Sequence, residues 1–98
     1  MINAASLAFA EGYPREDAIL AEARQRATVV GVAPIGAGGG ATLAFLAAAV
    51  DAKAVVEVGT GTGVSGLWIL RASTDTGLTS VDLEAEHQRH AREVFTLA

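Results

Sequence analysis

Ala54-Val55-Val56-Glu57-Val58-Gly59-Thr60-Gly61-Thr62-Gly63-Val64-Ser65-Gly66 is the stretch that decides the fold. Val55, Val56 and Val58 form a β-branched run bounded by glycines, the pattern of a short buried strand. Gly59, Gly61 and Gly63 follow at every second position, and Val64 to Arg71 then has helical composition with no proline. Strand, glycine turn and helix in that order are the layout of a nucleotide-binding βα unit.

The physics of that layout is specific. A glycine has no Cβ, so its backbone can take positive φ and let a ligand approach closely. The helix that follows opens with unpaired N–H groups and a partial positive charge, which suit an anion. An acidic residue at the end of the next strand can accept from a ribose diol. Asp82 stands there, after Leu78-Thr79-Ser80-Val81 and nineteen residues beyond Gly63, close to the offset of dinucleotide folds. A carboxylate accepting from a hydroxyl contributes about 1.5–3 kcal/mol. The same glycines would also serve a tight turn with close helix–strand packing. Glu57 inside the strand and Asp82 at the end of the next favour a ligand. Glu57 is costly in a buried strand without a partner, and the amides of the glycine loop are the expected partners.

Two registers fit the glycines. Gly61-Thr62-Gly63-Val64-Ser65-Gly66 matches G-x-G-x-x-G, the nicotinamide and flavin fingerprint, but Gly59 already occupies the strand end where that fingerprint begins. The phrase from Glu57 to Gly63, acidic-x-Gly-x-Gly-x-Gly, instead looks like motif I of S-adenosylmethionine-dependent methyltransferases. Glu57 to Trp68 resembles the small (family 3) O-methyltransferases related to the catechol and caffeoyl-CoA enzymes, its actinobacterial members above all. Ser80-Val81-Asp82-Leu83-Glu84-Ala85-Glu86-His87-Gln88 resembles their second strand and the helix after it. The similarity runs from about Glu16 to the end of the chain.

The resemblance implies a site, residue by residue. Glu57 would contact the loop and the amino end of the methionine moiety. Gly59 and Gly61, with Gly63, would let S-adenosyl-L-methionine pass close to the backbone. Ser65 would reach the methionine carboxylate. Asp82 would bind both ribose hydroxyls, with Leu83 against the adenine. Ile35, in Pro34-Ile35-Gly36, would give a backbone contact to the carboxylate end. The resemblance also implies an α/β fold, the N-terminal part of a Rossmann-like class I methyltransferase: N-terminal helices plus two βα units of a parallel sheet. Members of that group are longer. Their later strands carry the substrate pocket and, in some, a divalent-cation site. This chain is thus expected to be an N-terminal half, with no catalytic residue and no metal ligand of its own, and inactive alone. The implied family reaction is in-line transfer of a sulfonium methyl to a hydroxyl of a small molecule, where orientation supplies much of the rate. A nicotinamide-binding oxidoreductase fragment and a non-catalytic interaction module are the alternatives.

Composition agrees with a piece of an α/β enzyme. The chain has 98 residues, enough for one domain, and one of this size buries about 60–65% of its unfolded surface. Hydrophobic residues make up 51% of it. A half-sheet would leave strand edges and apolar faces open, so a homodimer is expected. The net charge of −4 and a single lysine, Lys53, argue against a nucleic-acid surface. With no cysteine, disulfides and thiolate metal sites are excluded. Ala8-Phe9-Ala10 mimics a cleavage site, but no basic residue precedes it. The apolar run Ala41 to Val50 is far short of the roughly 20 residues that span a bilayer. A cytoplasmic protein without membrane partners is the expectation.

Along the chain, positions 1–40 read as N-terminal helices and a glycine-rich loop, and 41–98 as the first two βα units of one truncated domain. A short helix is expected over Ala4 to Glu11. A second runs from Pro14 to about Val30, with Glu16 and Asp17 in its first turn. In it Leu20, Ala23, Ala27 and Val30 form a buried stripe, Glu22 pairs with Arg26, and Arg24 and Arg26 lie on a solvated face. Gly31 to Gly40 reads as a loop. It lacks the lysine of a phosphate-binding loop, since Ala41 follows the last glycine. Ala41 to Val50 reads as a helix, Thr79 to Leu83 as the second strand, and Glu84 to Leu97 as the last helix, with Ala91, Val94 and Phe95 in the core. His87 and His90 could be drawn as a metal site with Glu84, Glu86 and Glu93, but a third ligand and a dry pocket would be needed. An exposed polar face is the simpler reading.

Overall fold

The computed structural model describes residues 3–98, so Met1 and Ile2 of the expected first segment lie outside it. The Asn3 side chain accepts the Ser6 N–H at 2.8 Å and starts α1, Ala4–Gly12. α1 buries none of its residues.

Helix α2 is Ala18–Val30, shorter than the helix expected from Pro14. The reason is Asp17. Its backbone is extended and its carboxylate accepts the N–H groups of Ile19 and Leu20 at 3.1 and 3.0 Å, which fixes it as the N-cap. Glu16 therefore lies outside the helix. It takes the Arg24 guanidinium on both oxygens, at 2.5 and 2.8 Å, and the Trp68 indole N–H at 3.0 Å. Leu20, Ala23 and Ala27 are buried, Val30 only half-buried, and Gly31 ends the helix at φ +75°.

Helix α3, Ala37–Ala49, begins inside the expected glycine loop. The glycines there serve packing rather than flexibility. A Cβ on Gly40 would sit 2.2 Å from the Trp68 ring, and one on Gly38 would sit 2.8 Å from the Glu11 carboxylate. Glycine is the residue that lets α3 lie against both α1 and Trp68.

Strand β1 is Ala54–Val58, α4 is Val64–Leu70, β2 is Gly77–Val81 and α5 is Ala85–Leu97. β2 starts and stops earlier than the expected Thr79–Leu83. Gly77 already donates to the Lys53 carbonyl at 2.7 Å, and the chain leaves the sheet at Asp82, whose carboxylate accepts the Glu84 N–H at 2.9 Å. β1 and β2 pair in parallel, from Ala54 opposite Gly77 to Val58 opposite Val81. Exposure alternates along both strands. On the covered face Glu57 stands opposite Ser80.

Leu20, Ala23, Val64, Leu67 and Val94 form the core, with Ile19, Trp68 and Phe95 packed on it. Each such large side chain contributes about 1.5–3 kcal/mol. The other sheet face is bare. Val56 is 72% and Val58 86% exposed, so the strand expected to be buried is covered on one side only. A parallel sheet ordinarily has both faces covered.

Arg24 and Arg26 do not lie on a solvated face. Arg24 is held by Glu16, and Arg26 joins Glu22 at 2.9 Å, Glu93, and His90 Nδ1 at 3.1 Å, tying α2 to α5. No described helix is long and apolar enough to cross a membrane.

Candidate functional site

The glycine turn lies across the C-terminal ends of both strands. Gly59 donates to the Val81 carbonyl at 2.7 Å, which extends the sheet ladder by one bond. Its φ is +94°, and a Cβ there would meet nothing within 4 Å. The turn is therefore open to a ligand at this point. Gly63, at φ +101°, is different. A Cβ on it would lie 2.9 Å from Val94 and 3.2 Å from Phe95. Its missing side chain faces α5, not the cleft. Two threonines between the glycines anchor the turn. Thr62 is buried and donates to the Ala23 carbonyl at 2.7 Å, and Thr60 Oγ1 lies 2.7 Å from Ser80 Oγ.

The loop amide expected to pair with Glu57 pairs with Asp82 instead. Glu57 does not take the loop amides. Its carboxylate accepts from the hydroxyls of Ser65 at 2.5 Å and Ser80 at 2.6 Å. The loop amide belongs to Asp82, whose Oδ2 accepts the Gly61 N–H at 2.9 Å. The Glu84 and Gly61 N–H groups together hold the Asp82 carboxyl below its ordinary value, because both bonds favour the ionised form.

Ile35, Gly59, Gly61, Ser65 and Asp82 come together around one cavity of about 360 Å³. Gly59, Asp82 and Leu83 line an adjoining one of about 440 Å³. Leu83 projects fully into solvent there, at 101% exposure. Glu57 and Gly63 line neither cavity. Glu57 reaches the first through Ser65, and Gly63 supports the turn from behind. A further groove of about 410 Å³ between β2 and α5 holds none of the residues expected at the site.

Lining residues that were not expected include Thr62, Val32 and His87. Thr62 was hidden between glycines. Val32, whose Cγ1 lies 3.5 Å from a Cβ built on Gly61, looked like loop filler. His87 lines both cavities, with Nδ1 4.0 Å from Asp82 Oδ2. His87 and His90 do not converge, since His90 turns to Arg26.

The geometry has counterparts among known proteins. No family model matches the chain. It is 52% identical over 95 residues to a Mycobacterium sp. (strain KMS) protein whose name assigns it provisionally to the O-methyltransferases; the match spans 96% of this chain and 43% of that protein. A "Probable O-methyltransferase" of Mycobacterium tuberculosis is 52% identical over 92 residues, spanning 93% of this chain and 41% of its own length. Among solved structures, the O-methyltransferase TomG from Streptomyces achromogenes, involved in tomaymycin synthesis and crystallised with S-adenosylmethionine, superposes with a TM-score of 0.85. Its identity is 26%, over 97% of this chain and 44% of that one. The chain thus spans less than half the length of the relatives it matches. Over that span it shares their sequence and, with TomG, the N-terminal part of a Rossmann-like methyltransferase fold.

Proposed function

We propose that this chain, having the sequence and fold of the N-terminal half of an O-methyltransferase, supplies the cofactor-binding side of an S-adenosyl-L-methionine-dependent enzyme. The whole enzyme would transfer a methyl group to a hydroxyl of a small molecule. The observation that carries the reading is the Asp82 carboxylate, fixed by the Gly61 amide beside the open Gly59. Each Asp82 oxygen spends one lone pair on a backbone N–H and keeps another, as accepting from a vicinal diol requires.

The cofactor, when bound, supplies the activated sulfonium methyl. This chain's residues would bind and orient it. Asp82 would take the ribose hydroxyls and Leu83 would lie against the adenine. Gly59 and Gly61 would offer a close backbone. Ser65, whose hydroxyl proton goes to Glu57, would meet the methionine carboxylate through its backbone N–H at the start of α4, with the Ile35 backbone opposite. Gly63 would keep the turn closed by letting α5 approach. No residue here is assigned to catalysis or to a metal. The acceptor pocket, and a divalent cation if the whole enzyme uses one, would come from the remaining length. The nicotinamide reading gains little from the geometry, because Gly63, the glycine of that fingerprint that should open the backbone to a pyrophosphate, faces α5.

Positions 1–40 would frame the cleft and 41–98 would build it, within one domain. We infer further that the chain self-associates as a homodimer through its bare sheet face and works in the cytoplasm.

Isothermal titration of the 98-residue chain with S-adenosylhomocysteine, with NADH as control, tests the reading. Saturable binding of the former alone, lost in Asp82→Ala, is expected. Binding of NADH alone would overturn it.

A further inference from the structure

Every residue of α1 is exposed except Glu11, which is half-buried. Its side chain reaches α3. The carboxylate accepts the Gly38 N–H at 3.3 Å, and Oε1 lies 2.8 Å from where a Cβ on Gly38 would stand. A Cβ on Gly36 would overlap the same carboxylate. Glu11 therefore rests on bare backbone at the first turn of α3. That turn has no cap of its own, since Gly36 is its N-cap and makes no side-chain hydrogen bond. The opening N–H groups of a helix need such a partner, and their dipole favours a carboxylate.

The wall of the cleft lies directly before Gly36. Val32, Ala33, Pro34 and Ile35 line the cavity of about 360 Å³. The Ile35 side chain lies back on α3, where a Cβ on Gly39 would stand 2.5 Å from its Cγ1. Ile35 is thus tied to the start of α3, and the start of α3 to Glu11. Glu11 itself lines neither cavity, so it acts on a ligand only through this backbone.

We propose that Glu11 is a positioning residue for the cofactor cleft, capping α3 from α1 and so setting the Pro34-Ile35-Gly36 backbone against the ligand. The inference rests on the cofactor reading above and gives α1 a task in it. The Glu11 contact and the ligand are then coupled, and such coupling is reciprocal.

The test is S-adenosylhomocysteine binding to the chain, read together with hydrogen exchange at the Gly38 amide. Glu11→Ala is expected to weaken binding about fivefold, the low end for coupled sites, and to speed exchange at Gly38. Glu11→Gln keeps an acceptor oxygen and should retain most of the affinity. Arg26→Gln cuts the tie between α2 and α5 at a residue that lines neither cavity; it should lower the melting temperature and leave the affinity unchanged. The parent chain gives a measurement that needs no variant: saturating S-adenosylhomocysteine should slow Gly38 exchange about fivefold, by reciprocity. Parent affinity in Glu11→Ala, an equal loss in Arg26→Gln, or a Gly38 amide indifferent to bound ligand overturns the role of Glu11 and leaves the cofactor reading standing. No binding by the parent chain overturns the cofactor reading and this use of Glu11 with it.

Discussion

Asp82 Oδ2 accepts the N–H of Gly61 at 2.9 Å, so the end of β2 holds the turn that leaves β1. One carboxylate thereby joins the two βα units at the point where a ligand would lie. Removing it should damage the turn and the site together. Asp82→Ala is expected to weaken S-adenosylhomocysteine binding by about 1.5–3 kcal/mol, the value of a hydrogen bond to a charged group. It should also speed hydrogen exchange at the Gly61 amide. Titration calorimetry and exchange NMR on the same variant check both effects. Lost affinity with an unchanged Gly61 amide would separate ligand contact from loop support.

Gly59 and Gly63 look equivalent in the sequence and are not. Both have positive φ, but the Cβ of an alanine would meet open space at Gly59 and would lie 2.9 Å from Val94 at Gly63. Gly63→Ala should therefore add overpacking to backbone strain and cost about 2–4 kcal/mol. Gly59→Ala should cost about 1–2 kcal/mol in strain alone. Urea denaturation of the two variants gives the difference directly. Equal losses of stability would contradict the placement of Gly63 against α5.

How much of this was legible beforehand follows the range of the interactions. The strand–turn–helix order around Gly59 is local, and so are the stripe of Leu20, Ala23 and Ala27 and the stop at Gly31; all can be read from spacing. Asp82 was legible as well, because its offset from the glycines is set by the length of one βα unit. Two of the errors were non-local. Gly38 and Gly40 read as a loop because nothing nearby in the chain reveals that Glu11 and Trp68 press against them. Arg26 read as solvated because its partners Glu93 and His90 lie on another helix. The start of α2 was misjudged at closer range. Pro14, Glu16 and Asp17 each suit a helix beginning, and the cap bond of Asp17 decides among them.

Glu16 ties α2 to α4 through Arg24 and Trp68 and should make the fold sensitive to acid. The Arg24 guanidinium, against a smaller opposing effect of burial, and the Trp68 indole hold its carboxyl below the ordinary value of 4.5. A carboxyl depressed on folding stabilises fully above its unfolded value, and that stability is lost as pH falls through the lower folded one. The acid limb of the unfolding curve should accordingly fall below pH 4.5 and flatten in Glu16→Gln. At neutral pH that substitution should cost about 1–3 kcal/mol, since it leaves the Arg24 cation without its counter-charge. Trp68 is the chain's only tryptophan, so its fluorescence reports the loss of this contact without interference.

The bare face of the sheet makes the last prediction. Val56 and Val58 project from β1 on the side that no helix covers, at 72% and 86% exposure, and Val81 joins them from β2 at 46%. Side chains of this kind gain about 25 cal/mol for each Å² of apolar surface removed from water, and a second copy of the same face is an available cover. Sedimentation velocity should show the chain self-associating. Val58→Lys should shift it toward monomer, because burying an unpaired ammonium is expensive. The cooperative melt of the monomer should survive, since Val58 is exposed and is not among the buried cluster. Sedimentation of the parent chain as a monomer at all concentrations would remove the sheet face as the route to a homodimer. Association undiminished in Val58→Lys would move the interface elsewhere, with the exposed Leu7, Phe9 and Tyr13 of the α1 region the next surface to test.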